Sequence, residues 1–270
     1  LCAQLVNADP ERVAFVPTVA YATAIVAKNL RPKSGQNVVM LGDMFPSNVY
    51  AWRNWRSHNV EMRTVFAPEG PWASPPTGAS RAALWNDAVV RAIDFNTVLV
   101  AVEPAHWTDG TLFNLEMIGT RCREVGAAFV IDATQTVGAM PFDARLVHYE
   151  DRYAQGMRRF DTSLRANPTL IAMLEAACRL LIEWQPGRVR EYLLKIERPS
   201  VDRMRSLGFE VADEDERCAN LFGVKLAVGM DPEACRQHLA QRQIHVAVRG
   251  SAVRVSPHVY NDKRDLEYLV

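Results

Sequence analysis

The chain is poor in lysine. Lys28, Lys33, Lys195, Lys225 and Lys263 are all it has, and none falls between Lys33 and Lys195. Neither charge sign is in excess: Lys+Arg and Asp+Glu both number 31, for a formal net charge of zero. That balance argues against a nucleic-acid footprint and against a polybasic membrane patch. No apolar run approaches the roughly 20 residues of a membrane span. There is no CxxC and no Cys/His cluster at metal spacing. The five scattered cysteines (Cys2, Cys122, Cys178, Cys218, Cys235) therefore read as reduced thiols of a cytoplasmic protein, with no metal site expected. Cys122 and Cys178 lie in helix-like runs and read as core fillers. A GxGxxG following a strand is missing, which counts against a Rossmann-type dinucleotide enzyme. The N-terminal LCAQLVNADPERVAF is neither a signal nor a transit peptide. A start at Leu1 without Met is what a chain beginning inside a longer protein would show. No internal repeat or low-complexity segment occurs.

What remains is a sizeable globular chain. It has 270 residues, 49% of them hydrophobic, enough for one large domain with a smaller one. Apolar runs at 37–41, 60–66, 97–103 and 127–133 read as strands. Helical patterns lie between them at 18–30, 48–59, 80–93 and 113–125, with Ser80 as an N-cap and a Pro/Gly loop at 68–78. This alternation predicts an α/β fold, a mostly parallel sheet covered on both faces, with ligands at the C-terminal strand ends. The texture then changes. Residues 168–195 read as long and helical. Strands at 220–228, 245–249 and 252–257, with helices at 231–242 and from 262, form a smaller α+β unit. The expected division is 1–175 and 176–270.

The run AAFVIDATQTVGAMPFDA (127–144) is the most informative. A buried strand ends in Asp132, and Gln135 follows in a turn. A fixed carboxylate at a strand end suits pyridoxal 5'-phosphate (PLP). The pyridine nitrogen of PLP must stay protonated for the ring to act as an electron sink, and a nearby anion raises that nitrogen's pKa. The bland alternative is an Asp capping a turn.

Six stretches, FVPTVAYATAIVA, LGDMFPSNVYAW, VEPAHWTDGTLFNL, FVIDATQTVGAMPFDA, RRFDTSLRANP and VRGSAVRVSPHVYN, occur in the order found in one family. The chain resembles the class V aminotransferase superfamily of fold-type-I PLP enzymes, most of all the kynureninase-like and isopenicillin-N-epimerase-like branch. The resemblance implies that Asp132 pairs with the pyridine nitrogen and Gln135 donates to the phenolic oxygen. It implies that Trp107 stacks on the ring, since stacking fixes the ring plane without competing for its polar edges. Thr18, Val19 and Ala20 would bind the phosphate at a helix N-terminus, mainly through backbone N–H groups. Ser47, Asn48 and His106 would line the substrate side, with a plain N-cap and a structural loop histidine as the competing readings. Arg254, and less well Arg249, would hold the substrate carboxylate through the planar guanidinium fork. Asn167 would reach the neighbouring subunit's site, which makes the protein a homodimer with shared active sites. The implied reaction acts on an amino acid, by transamination or by related lyase or epimerase chemistry. Desulfuration is disfavoured, because RGSAVRVSP holds no cysteine nucleophile. The rival of another class is a non-catalytic homologue serving as a dimeric scaffold.

One part does not match. The family carries its Schiff-base lysine after the strand that follows the aspartate. Here the text after Asp143 is of a kind the family places beyond that lysine, so the Asp143–Ala144 join looks like an excision. The first explanation is a segment dropped from the given chain, which goes with cofactor-free protein. The second is a chain that truly lacks the segment, which leaves apolar sheet edges to be covered.

Overall fold

The computed structural model describes residues 1–69, 79–143 and 168–270. A short helix α1 (Cys2–Leu5) leads into α2 (Val19–Asn29), which starts where Thr18 Oγ1 accepts from the Tyr21 N–H. Then come β1 (Asn37–Leu41), α3 (Ser47–Arg53), β2 (Glu61–Val65), α4 (Arg81–Ala92), β3 (Thr97–Val102), α5 (Leu115–Val125) and β4 (Ala128–Ile131). Ser80 caps α4 as expected, accepting from the Ala83 N–H. The helix expected over 48–59 is split. Its second half is a 3-10 turn over Asn54–His58, closed by Asn59 in the left-handed region at φ 60°. The tighter turn sets Trp55 beside Trp52, ring centroids 5.6 Å apart, and both are buried.

β1 to β4 form a parallel sheet in the order β2-β1-β3-β4. Every residue of β1 is buried, and five of the six in β3 are. Val38, Leu41, Leu99, Val100 and Ile118 form the centre of the main core, with Trp52 and Trp85 closing it. Trp85 Nε1 donates to the Val65 carbonyl and so ties α4 to β2. β4 is different. It is an edge strand among the described residues, and all four of its residues are only half-buried.

The long helical stretch is two helices, α6 (Pro168–Trp184) and α7 (Pro186–Ser206). Gln185 lies at φ 61° between them. Pro186 explains the break, since a proline disfavours helical backbone in the residue before it. The C-terminal part adds β5 (Phe222–Lys225), α8 (Pro232–Gln241), β6 (Ala247–Arg249), β7 (Ala252–Val255) and α9 (Lys263–Tyr268). Its sheet is antiparallel, in the order β5-β7-β6.

The two sheets are joined through the loop after β3. Leu112 N donates to Glu216 O, Cys218 N to Gly110 O, and Gly223 N to Asp109 O. Gly110 makes this possible. It sits at φ 77°, and a Cβ there would strike the Leu221 carbonyl. Gly110→Ala is expected to lose about 1–2 kcal/mol from the left-handed backbone alone. The collision adds to that, and both appear as a lower thermal midpoint.

In the sequence Ala144 follows Asp143 directly. The Asp143–Ala144 junction, most of the 68–78 loop and Asn167 lie outside the described residues. All five cysteines are free, as expected, and Cys2 Sγ lies 3.5 Å from Cys178 Sγ.

Candidate active site

The site is built at the C-terminal ends of β1, β3 and β4. Asp132 leaves β4 with its N–H on the Val102 carbonyl, which extends the β3–β4 pairing by one residue. One carboxylate oxygen accepts from Thr134 N at 3.0 Å, and the other from Asn48 Nδ2 at 2.6 Å. The carboxylate is half-buried, with hydrogen bonds fixing its direction.

Trp107 is held from several sides. Its N–H donates to Glu103 Oε2 at 2.9 Å. Its carbonyl accepts from Arg254 Nη1 at 3.0 Å, and its indole Nε1 donates to the Asp43 carbonyl at 2.6 Å. Phe45 meets the ring edge-on at 5.5 Å, and the Arg249 guanidinium lies 5.4 Å from the ring centroid. An aromatic fixed in this way offers a set plane to a flat ligand.

Glu103 is the residue that sequence reasoning missed. It is 2% exposed. Oε1 accepts from Phe45 N, Oε2 accepts from Trp107 N, and the Asn48 amide also reaches the carboxyl. Burial pushes this carboxyl up to about 7, against the pull of those N–H groups, and the nearby Asp132 charge adds to the push. A signal was present in the sequence. TVLVAVE ends a buried strand on an acid, the pattern that singled out Asp132 in AAFVIDA.

Arg249 and Arg254 come from the hairpin of β6 and β7, so the C-terminal unit faces the large sheet here. Burial, and then the charge of Arg249, push the Arg254 pKa down. Nε of each arginine is buried without a hydrogen-bond partner among the described residues. Two neighbouring guanidinium groups with unspent N–H donors are what an incoming carboxylate or phosphate would satisfy.

Two of the residues expected on the substrate side are buried. His106 is 2% exposed and packs on Trp85. Its Nε2 lies 3.0 Å from the Gly42 carbonyl and its Nδ1 2.7 Å from Thr108 Oγ1. Burial pushes its pKa down. It braces the loop from inside and has no ring nitrogen left for a substrate. Asn48 is buried too, and its amide faces Asp132 and Glu103. Ser47 caps nothing with its side chain; its carbonyl accepts from Thr23 Oγ1, which ties α2 to α3. One turn earlier in α2, Thr18 and Ala20 are exposed and Val19 is half-buried, so the helix N-terminus opens to solvent. Thr18 Oγ1 is used by the Tyr21 N–H, which leaves backbone donors of the first turn for an anion. Gln135 is half-buried, and its carbonyl accepts from Asn220 Nδ2 at 3.1 Å.

The residues fit a PLP ring, its pyridine nitrogen and an anionic group, as the orphaned arginine donors indicate. They do not fit covalent attachment. Lys225 pairs with Glu210 and Lys263 with Glu267. Lys28 is in the last turn of α2, Lys33 precedes β1 at the N-terminal end of the strands, and Lys195 is within α7.

The chain is similar to known proteins. A probable cysteine desulfurase of Methanothermobacter thermautotrophicus is 30% identical over 145 residues, covering 54% of this chain and 34% of that protein. The chain thus spans about a third of that relative's length. An uncharacterized aminotransferase, YcbU of Bacillus subtilis, is 21% identical over 326 positions, 99% of this chain and 80% of its own length. An alignment of 326 positions to a chain of 270 residues needs several dozen positions where this chain has nothing. The apo structure of a cysteine desulfurase from Thermococcus onnurineus NA1 superposes with a TM-score of 0.79 at 17% identity, over 99% of this chain and 80% of that one. The architecture is that of the fold-type-I PLP enzymes. Residues 1–150 match the aminotransferase class-V family, whose cofactor is PLP, and the chain belongs to that family.

Proposed function

We propose that this chain forms a class-V site for a PLP ring and an amino acid. The carrying observation is one connected cluster: Asp132 fixed by Asn48, Trp107 fixed by Glu103, and Arg254 on the Trp107 carbonyl. When bound, PLP supplies a cationic ring that draws electrons from the amino acid's α-carbon. Asp132 holds the proton on the ring nitrogen, and Trp107 sets the ring plane. The first turn of α2, with Thr18, Val19 and Ala20, takes the phosphate. Gln135 meets the phenolic oxygen. Arg254, seconded by Arg249, receives the substrate carboxylate. On this reading residues 1–175 hold the cofactor and 176–270 the carboxylate. The protein works as a cytoplasmic homodimer sharing its sites through Asn167.

Transamination, kynureninase-like cleavage and epimerisation all use these contacts, and product analysis separates them. Desulfuration through a cysteine fits poorly. The Arg249–Arg254 turn has no cysteine, and burial pushes Cys218 up to about 11 and Cys122 up to about 12. A second reading, a homologue that binds without turnover, is favoured by the absence of any lysine between Lys33 and Lys195.

An absorbance titration of the chain with PLP, followed by a panel of amino acids, tests both readings. A saturable spectral change with formation of a 2-oxo acid or cleavage product supports the first. Saturable binding without product supports the second, and no binding overturns both. Arg254→Gln is expected to weaken amino-acid binding about tenfold, the worth of one charge-assisted hydrogen bond. PLP affinity should change less in that variant.

A further inference from the structure

We propose that Glu103 is a positioning residue of this site: its carboxylate gathers the N–H groups of Phe45, Trp107 and Asn48 at one point, and so sets both the plane of Trp107 and the direction of Asp132. The inference rests on the cofactor reading above.

The geometry is specific. Phe45 belongs to the loop between β1 and α3, Asn48 to α3, and Trp107 to the loop after β3. Oε1 of Glu103 accepts from Phe45 N at 3.3 Å and Oε2 from Trp107 N at 2.9 Å. Phe45 and Trp107 then meet edge to face. The Asn48 amide bridges two carboxyls, donating to Asp132 at 2.6 Å and also reaching Glu103. A simple packing role would not need an acid at a position 2% exposed. An ionised carboxylate has lone pairs for all three donors. A protonated carboxyl, or a Gln, turns a donor of its own toward one of them.

Glu103 therefore aligns the site in its ionised form. Asp132, from the turn after β4, is the charged group that faces it, while Phe45, Asn48 and Trp107 meet it through neutral N–H groups. His106, three residues further along the same loop, has its pKa pushed down by burial. With the carboxyl raised to about 7, the aligned form gains population as pH rises from 6 to 8. The second negative charge also strengthens the hold on a protonated ring nitrogen.

The test uses pyridoxamine 5'-phosphate, which needs no lysine to bind. Its affinity is measured by equilibrium dialysis at pH 6, 7 and 8 for the wild-type chain and for Glu103→Gln. Wild type should bind about tenfold more tightly at pH 8 than at pH 6, beyond any change seen in Glu103→Gln, a gain equal to about one pKa unit of coupling. The variant should bind about tenfold more weakly than wild type at pH 8 while keeping its urea midpoint. Equal affinities and parallel pH profiles overturn the role of Glu103 and leave the cofactor reading standing. No binding by wild type at any pH overturns both. Should Glu103→Gln fail to fold, wild type decides: a profile without a rise between pH 6 and 8 overturns the proposal, and a rise supports it.

Discussion

Arg217→Met is expected to lower the unfolding free energy by about 3–5 kcal/mol, the usual cost of removing one partner of a buried ion pair. Arg217 and Glu197 are 1% and 0% exposed at their side chains, with Nη1 2.6 Å from Oε2. The pair joins α7 to the segment before β5, and the guanidinium also lies 4.6 Å from the Phe222 ring centroid. Without Arg217, Glu197 is left as a buried acid among apolar neighbours. Urea titration at pH 7 measures the loss. Changing both partners to apolar residues of similar volume should recover most of it, because neither charge then remains to be desolvated.

The same acid gives a pH dependence. Burial pushes Glu197 up to about 7, with Arg217 pulling the other way. Its folded pKa stands above its unfolded value, so the folded state binds the extra proton. That contribution to stability is fully present below about 4.5 and is lost as pH rises through about 7. Glu103 acts in the same direction over the same window. The urea midpoint should therefore fall between pH 5 and pH 7.5, and Glu197→Gln should flatten the fall by its own share. A wild-type midpoint that rises across this range would contradict the assignment.

Asp132→Asn is expected to weaken the binding of pyridoxamine 5'-phosphate about 100-fold. The hydrogen bond lost is one to a charged ring nitrogen, worth up to about 3 kcal/mol. The fold should survive, since Asp132 is half-buried and its neighbours Thr134 and Asn48 can still bond an amide. Equilibrium dialysis at pH 8 reads the effect. Unchanged affinity in a folded variant would remove Asp132 from the ring-nitrogen role.

Much of this was legible along the chain. The parallel sheet followed from apolar runs such as NVVML and TVLVAV, whose burial on both faces leaves no polar alternation. The caps of α2 and α4 followed from Thr18 and Ser80. Asp132 was legible because an acid closing an apolar strand is conspicuous. Glu103 bore the same mark, but a strand followed by PAHW drew attention to the aromatic, and only the fold showed both N–H groups converging on the acid. His106 and Asn48 were read as open to substrate because a sequence shows residue type without direction. Gly42 and Thr108 occupy both nitrogens of one, and Asp132 the amide of the other.

The sequence by itself determined the family, the order of strands and helices, and the lack of a lysine between Lys33 and Lys195. Those properties are local or one-dimensional: periodicity, caps, motif order and the simple presence of a residue. Tertiary structure decided which groups meet. It brought Arg249 and Arg254 from the last hairpin onto Trp107, more than a hundred residues earlier, and left their Nε donors unspent. It also left β4, the strand bearing Asp132, as a half-buried edge among the described residues. Contacts at that separation depend on how two sheets pack through loops such as the one at Gly110, and no window of sequence contains both partners.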